Sequence, residues 1–325
     1  MEFVCSFKLP TRVGRRLLTS VALCLSTISM SCNRIRGSGR YLITVLGNSP
    51  GSDAAYIYDA PHGSLSRLCG DGDNDHMRCF TVATDERVRI VTASILPEAE
   101  ISDPSELNLR VKFQGHESLV KSPVKGKCSI LDISVSPKGA VVLATLFSQD
   151  LHASSIWRLF PETLDWKQLS EWEKSPNWVT RPVAIDETDR ILYLRVEREA
   201  RGLISHLQRL SLSTGRSEQL LSDRQIASFA IGRQHQIVLW SQFGLEVMDE
   251  KFNSSLIVPS TFLSTTDSIQ PGSLAWNMRQ DKIALLVGDR KTNVVRLYEF
   301  DPITKGSSLI FKKKLGSQFS IQQLY

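Results

Sequence analysis

Between Ile130 and Ser170 the chain reads ILDISVSPKGAVVLATLFSQDLHASSIWRLFPETLDWKQLS. An apolar run, a tight turn at Ser136-Pro137-Lys138-Gly139, a second run over Ala140 to Phe147, a polar loop, a third run over Ser155 to Phe160 and a closing Leu164 to Leu169 form a four-strand meander. The same order of parts recurs along the chain, and such a repeat constrains the fold more than any other feature. Turns of the first kind begin at Ser38, Asp85, Ser136, Asp186, Gly232 and Asn277, 45 to 51 residues apart. That is the length of a four-stranded propeller blade with generous loops.

After each turn comes an apolar strand: Tyr41 to Leu46, Val88 to Ala93, Ala140 to Phe147, Ile191 to Val196, Gln236 to Trp240 and Lys282 to Val287. Most are rich in Ile, Leu and Val, as strands covered on both faces must be. The next strand alternates apolar and polar side chains in most copies, as in Ser155-Ile156-Trp157-Arg158-Leu159, which marks a half-buried position.

The succession of strand, SPKG-type turn, strand, loop, Ile-Trp-Arg-Leu or Ile-Tyr-Asp, turn, and Arg-Leu or Gln-Leu resembles the TolB-like propeller repeat. The resemblance covers most of the chain after residue 38 and is sharpest in the repeats beginning near Ile130, Pro182 and Gly272. Ser136-Pro137-Lys138-Gly139 is the one close match to the family turn. The expected fold is all-β, a six-bladed β-propeller of four-stranded antiparallel blades over residues 38–325. The first turn has no strand before it, and Ser317 to Tyr325 form a strand with no turn after it. The C-terminal strand is therefore expected to close the ring as the innermost strand of the first blade.

Residues 1–31 are a separate matter and read as a signal peptide. Lys8, Arg12, Arg15 and Arg16 form a basic region, Leu17 to Ser31 carries no charge, and Ser29-Met30-Ser31 supplies small residues for cleavage. Cys32 follows at once, so Ser29 to Cys32 resembles the lipobox of bacterial lipoproteins, with Ser29 standing where a Leu is usual. The resemblance implies lipidation at Cys32, a short tether over 32–37, and a protein exported and membrane-anchored in the bacterial cell envelope. Ordinary cleavage near Cys32 is the alternative.

Removing residues 1–31 takes four of the 39 Lys and Arg and one of the 34 Asp and Glu, leaving 35 against 33. A nucleic-acid partner is not expected of a domain without a basic excess. Of six cysteines, Cys69, Cys79 and Cys128 would remain after export and lipidation. Cys69 and Cys79 bracket an acidic stretch, but the repeat assigns them to different blades, which argues against a bridge.

The remaining candidates for chemistry are few. Asp71, Asp73 and Asp75 alternate like the start of a Ca²⁺ loop, yet His76 and Val82 occupy the sixth and twelfth positions, so a solvated acidic turn is expected. Gly47-Asn48-Ser49-Pro50-Gly51 matches a nucleophile elbow only formally, because Pro50 has no N–H for an oxyanion hole. The six histidines show no metal-binding spacing. No catalytic residue and no cofactor are assigned.

In an up-and-down blade, alternate turns share one face of the disc. Here that face receives Leu96 to Glu106, Gln149 to Ala153, Glu197 to Ile204, Asp71 to Arg78, Glu171 to Arg181 and Val258 to Pro271, all expected as long loops. Trp172 and Trp178 lie there near charges, as partner-binding anchors do, or else they cover the groove between blades.

Two functions follow. The first is a monomeric, non-catalytic scaffold binding a protein or peptide in the envelope. The alternative is a hydrolase, lyase or oxidoreductase with its site at the central channel, where Asp132 and Asp186 lie on or beside inner strands.

Overall fold

The computed structural model describes residues 39–46, 54–69, 79–84, 89–94, 109–113, 116–136, 141–185, 190–200, 202–278, 280–315 and 318–324. Apart from two single-turn 3-10 segments, Arg233–His235 and Ser260–Phe262, the described elements are β-strands. The first blade contains β1 (Arg40–Leu46), β2 (Ala54–Asp59) and β3 (Ser64–Cys69). A sheet of β4 (Cys79–Thr84), β5 (Arg89–Ser94), β6 (Leu109–Phe113) and β7 (His116–Val120) follows. The next blade has β8 (Cys128–Val135), β9 (Val142–Ser148), β10 (Ala153–Phe160), β11 (Asp165–Gln168) and β12 (Glu173–Lys174).

Then come β13 (Trp178–Ala184), β14 (Arg190–Glu199), β15 (Gly202–Ser211) and β16 (Ser217–Leu220). They are followed by β17 (Ile226–Ile231), β18 (Ile237–Ser241), β19 (Gly244–Met248) and β20 (Ser254–Pro259). The last blade in sequence holds β21 (Asp267–Ser268), β22 (Leu274–Asn277), β23 (Lys282–Asp289), β24 (Val294–Phe300) and β25 (Ser307–Lys314). Finally β26 (Gln318–Leu324) returns to β1 and pairs with it from Arg40↔Leu324 to Leu46↔Gln318.

The apolar runs are continuous because both faces of the inner strands are covered. On β14, Ile191 and Tyr193 pack with Leu143 and Ile156 of the β8–β12 blade, whereas Leu192 and Leu194 pack with Phe229, Leu239 and Met248 of the β17–β20 blade. Trp240 and Leu245 then meet Trp276, Ile283, Leu285 and Phe300. Tyr41, Ile43, Phe319 and Ile321 of the first blade close on Ala284, Leu286 and Leu297. Each such fully buried aliphatic or aromatic side chain contributes about 1.5–3 kcal/mol.

The fold is an all-β propeller, but the expectation of six like four-stranded blades in a closed ring is corrected. Five blades have described side chains that pack face to face, and two of those five carry a fifth strand. One arises because Glu173 and Lys174 add to β10, the other because the innermost strand is split into β21 and β22. In the β4–β7 sheet, side chains are largely outside the described set, and among the described residues β5 meets β6 at Val91↔Val111 and Thr92↔Arg110. β26 completes the first blade, yet no strand ladder joins one blade to the next among the described residues. Side-chain packing and single bonds hold the blades together, so the ring is not closed by a continuous hydrogen-bonded sheet.

Two expected long loops are also corrected. Gln149–Ala153 is a tight turn between β9 and β10, and Glu197–Ile204 lies within a hairpin paired from Arg190↔Ser211 to Glu199↔Gly202.

Candidate functional site

The segment between β11 and β13 does more than connect blades. Its residues Glu173 and Lys174 pair with Ser154 and Ala153 on β10, and Ser175 N–H donates to the His152 carbonyl at 2.8 Å. Val179 N–H donates to Ser154 Oγ at 2.9 Å, which fixes the start of β13 against the neighbouring blade. From the other side, Arg195 bonds Glu173 at 3.0 Å and Glu197 at 2.9 Å, and Arg198 N–H donates to Asn177 Oδ1 at 3.3 Å. The segment is thus clamped between the β9–β10 turn and the β14–β15 hairpin.

An open groove of about 440 Å³ results, lined by Leu131, Phe147, Pro176, Trp178, Arg198 and Leu203 together with Ser175 and Asn177. Leu203 is 59% exposed and Leu131 37%, and with Trp178 they give the groove a contiguous apolar lining. Arg198 faces Leu203 directly across the hairpin, so the groove has apolar walls and a cation at one end. It lies on the face of the disc where the sequence concentrates its partner-binding candidates.

The two expected anchors fall in different surroundings. Trp178 is half-buried and lines the groove. Trp172 packs beside the β8–β12 core, its ring 6.1 Å from that of Trp157. Sequence reasoning singled out neither leucine: Leu131 lay in an apolar strand and looked like core, and Leu203 lay in the expected loop Glu197 to Ile204, which the structure makes part of a hairpin.

At the centre of the disc, Asp132 is engaged. Its carboxylate accepts from Arg181 Nη1 at 3.4 Å and from Arg181 N–H at 3.1 Å. Arg181 also donates through Nη2 to the Ile321 carbonyl on β26 at 3.2 Å. β13 and β26 belong to blades separated by two others in the packing order, so this side chain crosses the space enclosed by the inner strands. Gly272 permits it: a Cβ there would lie 3.0 Å from Arg181 Cζ and 2.5 Å from Ser320 Cβ.

A second buried polar link joins the first and last blades. Tyr41 Oη donates to Glu299 Oε1 at 2.6 Å, and burial together with the Glu299 carboxylate pushes the phenol well above its usual pKa. Asp186, the calcium-type Asp71, Asp73 and Asp75, the Gly47–Gly51 loop and Cys32 lie outside the described residues, as does the segment expected to be a leader. Cys69 ends β3 and Cys79 opens β4, in different sheets. Among the described residues no group of three His, Cys, Asp or Glu could hold a metal, and no helix is long and apolar enough to cross a membrane.

No family model matches the sequence, and no curated protein matches it. The structure is similar to TolB from Acinetobacter baumannii, at 13% identity over 94% of this chain and 72% of that one, with a TM-score of 0.59. It is also similar to a chain of the nidogen/laminin complex, at 9% identity over 87% of this chain and 98% of that one, TM-score 0.54. A prolyl endopeptidase matches at 13% identity and TM-score 0.50, over 87% of this chain but only 41% of the endopeptidase. Such distant likenesses establish the propeller fold and leave the activity open.

Proposed function

We propose that this propeller is an envelope scaffold that holds a protein or peptide in the groove between its β8–β12 and β13–β16 blades. The observation that carries this reading is the pair of exposed leucines, Leu131 and Leu203, flanking Trp178 on clamped backbone. Rigid aromatic and aliphatic anchors in a preformed depression are the usual centre of a binding surface, and a site that needs no ordering on binding keeps more of its interaction energy. TolB and the nidogen/laminin complex supply propellers of similar shape, the latter in an assembly of two proteins. Of the two carboxylates that the channel alternative named, Asp132 is ion-paired to Arg181.

In the same reading the protein is exported and tethered through lipid on Cys32, as its leader-like residues suggest, and acts as a monomer. The test uses the full chain immobilised and exposed to envelope extract, beside Trp178→Ala and Leu203→Asp variants. Wild type should retain a partner that both variants release. Recovery of the same partner by all three would remove the groove from consideration. Palmitate labelling of wild type against Cys32→Ser tests the tether separately.

A further inference from the structure

The groove between the β8–β12 and β13–β16 blades is selective in its chemistry as well as its shape. Leu131 and Phe147 of one blade and Trp178 and Leu203 of the other make most of its lining apolar. The polar part is small, consisting of Ser175, Asn177 and Arg198. Arg198 is the one charged side chain among the described residues that line the groove, and none of those residues carries a carboxylate.

The acids close to Arg198 in sequence do not neutralise it. Side chains alternate along a strand, so Glu197 and Glu199 lie on the opposite face of β14 from Arg198. Glu197 is moreover paired with Arg195 at 2.9 Å, and Glu173 with the same arginine at 3.0 Å. Arg198 is exposed, and its guanidinium pairs with no acid among the described residues.

What remains for a ligand is almost wholly donor in character. The Asn177 side-chain oxygen is occupied by the Arg198 N–H at 3.3 Å, which leaves its amide NH₂ to face a ligand. An amide NH₂ and a guanidinium only donate, and the Ser175 hydroxyl can do either. A cationic ligand would find no counter-charge here. A wholly apolar one would cover the guanidinium and give it no acceptor in return, which costs free energy.

Resting on the reading of this groove as a peptide site, we infer that its ligand is a segment with a large apolar side chain beside a carboxylate, the latter from Asp, Glu or a chain terminus. The apolar side chain packs against Trp178 and the two leucines. The carboxylate accepts from Arg198, whose planar fork matches two oxygens, and a peptide carbonyl accepts from the Asn177 amide. The groove volume of about 440 Å³ lies within the range of about 300–1,000 Å³ usual for pockets that hold small ligands, so it takes a short segment rather than the face of a domain.

The experiment is affinity selection of a synthetic octapeptide library, half amidated and half with free C-termini, on the immobilised full chain, with retained sequences read by mass spectrometry. Peptides with a large apolar residue beside Asp, Glu or a free terminus should be enriched, and high salt should reduce the enrichment. Arg198→Gln should lower the preference for a carboxylate by about threefold, as loss of an exposed ion pair requires, and Arg198→Glu should reverse it in favour of Lys and Arg. Both variants should melt like wild type, since the replaced guanidinium holds no ion pair. Enrichment in the amidated half assigns the carboxylate to a side chain, and enrichment confined to the free-acid half assigns it to a terminus. Peptides that Trp178→Ala releases but that show no preference for a carboxylate, or a preference unchanged in Arg198→Glu, would overturn this ligand assignment and leave the groove itself standing. Absence of any peptide whose retention depends on Trp178 would overturn both.

Discussion

Arg181 and Asp132 form an ion pair 3.4 Å long between the innermost strands of two neighbouring blades, and both side chains are largely shielded from water, at 9% and 14% exposure. Removing the cation leaves a carboxylate with little solvent, and breaking such a pair costs about 3 kcal/mol. Arg181→Ala should lose that much stability in urea denaturation. Arg181 also sits at φ 56°, in the left-handed region, so Arg181→Gly should be more stable than Arg181→Ala by about 1 kcal/mol. Equal midpoints for the two variants would show that the backbone relaxes on substitution.

Phe319 and Ile321 are 3% and 0% exposed and fill the contact between the first and last blades. Phe319 lies over Gly288, where an added Cβ would come within 2.2 Å of its ring. Phe319→Ala should cost about 3–5 kcal/mol. Gly288→Ala should destabilise as well, by overpacking, at about 1–3 kcal/mol. A truncation after residue 317 that unfolds at the wild-type urea midpoint would contradict the role given to β26.

Asp301 supplies the pH dependence. The Lys282 ammonium, joined by the N–H groups of Thr304 and Ile303, lowers its carboxyl to about 2. An unfolded Asp titrates near about 3.9, so the stabilisation is present above that value and lost as pH falls through about 2. Asp301→Asn should therefore lose less stability than wild type between about pH 4 and pH 2 in acid titrations followed by circular dichroism. Parallel curves for the two proteins would show that the pair contributes nothing.

Cys128 is unpaired and half-buried, and burial pushes its thiol up to about 11. Against a usual value near about 8.5, its thiolate is scarcer at pH 8 by about two orders of magnitude. Iodoacetamide labelling of Cys128, followed by peptide mass mapping, should be slower in the folded protein than in urea by about 100-fold. Comparable rates would mean that the thiol is accessible and ionised.

Much of this architecture was legible in the sequence because a buried strand announces itself by apolar content and its turn by Ser, Pro, Gly and Asp. The runs beginning at Tyr41, Ile191 and Lys282 fall on β1, β14 and β23. What escaped is what depends on partners distant in sequence or on solvent. Glu197, Arg198 and Glu199 read as a loop because both faces of a hairpin that projects past its neighbours are wet, yet they are strand. Glu173 and Lys174 are too short a run to signal the strand that they add to β10. Asp132 looked available for channel chemistry until Arg181, 49 residues later and held by a bulge in β13, proved to occupy it. The groove was legible through Trp178 and through the placing of Glu197 to Ile204 on the same face, but the exposure of Leu131, in an apolar strand, was not.

The pairing of β1 with β26 also sets a timetable. The two segments are about 270 residues apart, and at roughly 5–20 residues per second a ribosome needs about a quarter of a minute to a minute to make the chain between them. Throughout that interval the nascent first blade presents a bare edge of N–H and C=O groups, open to chaperones or to wrong strands. The first blade, begun at β1, is consequently finished only when β26 arrives to cover that edge.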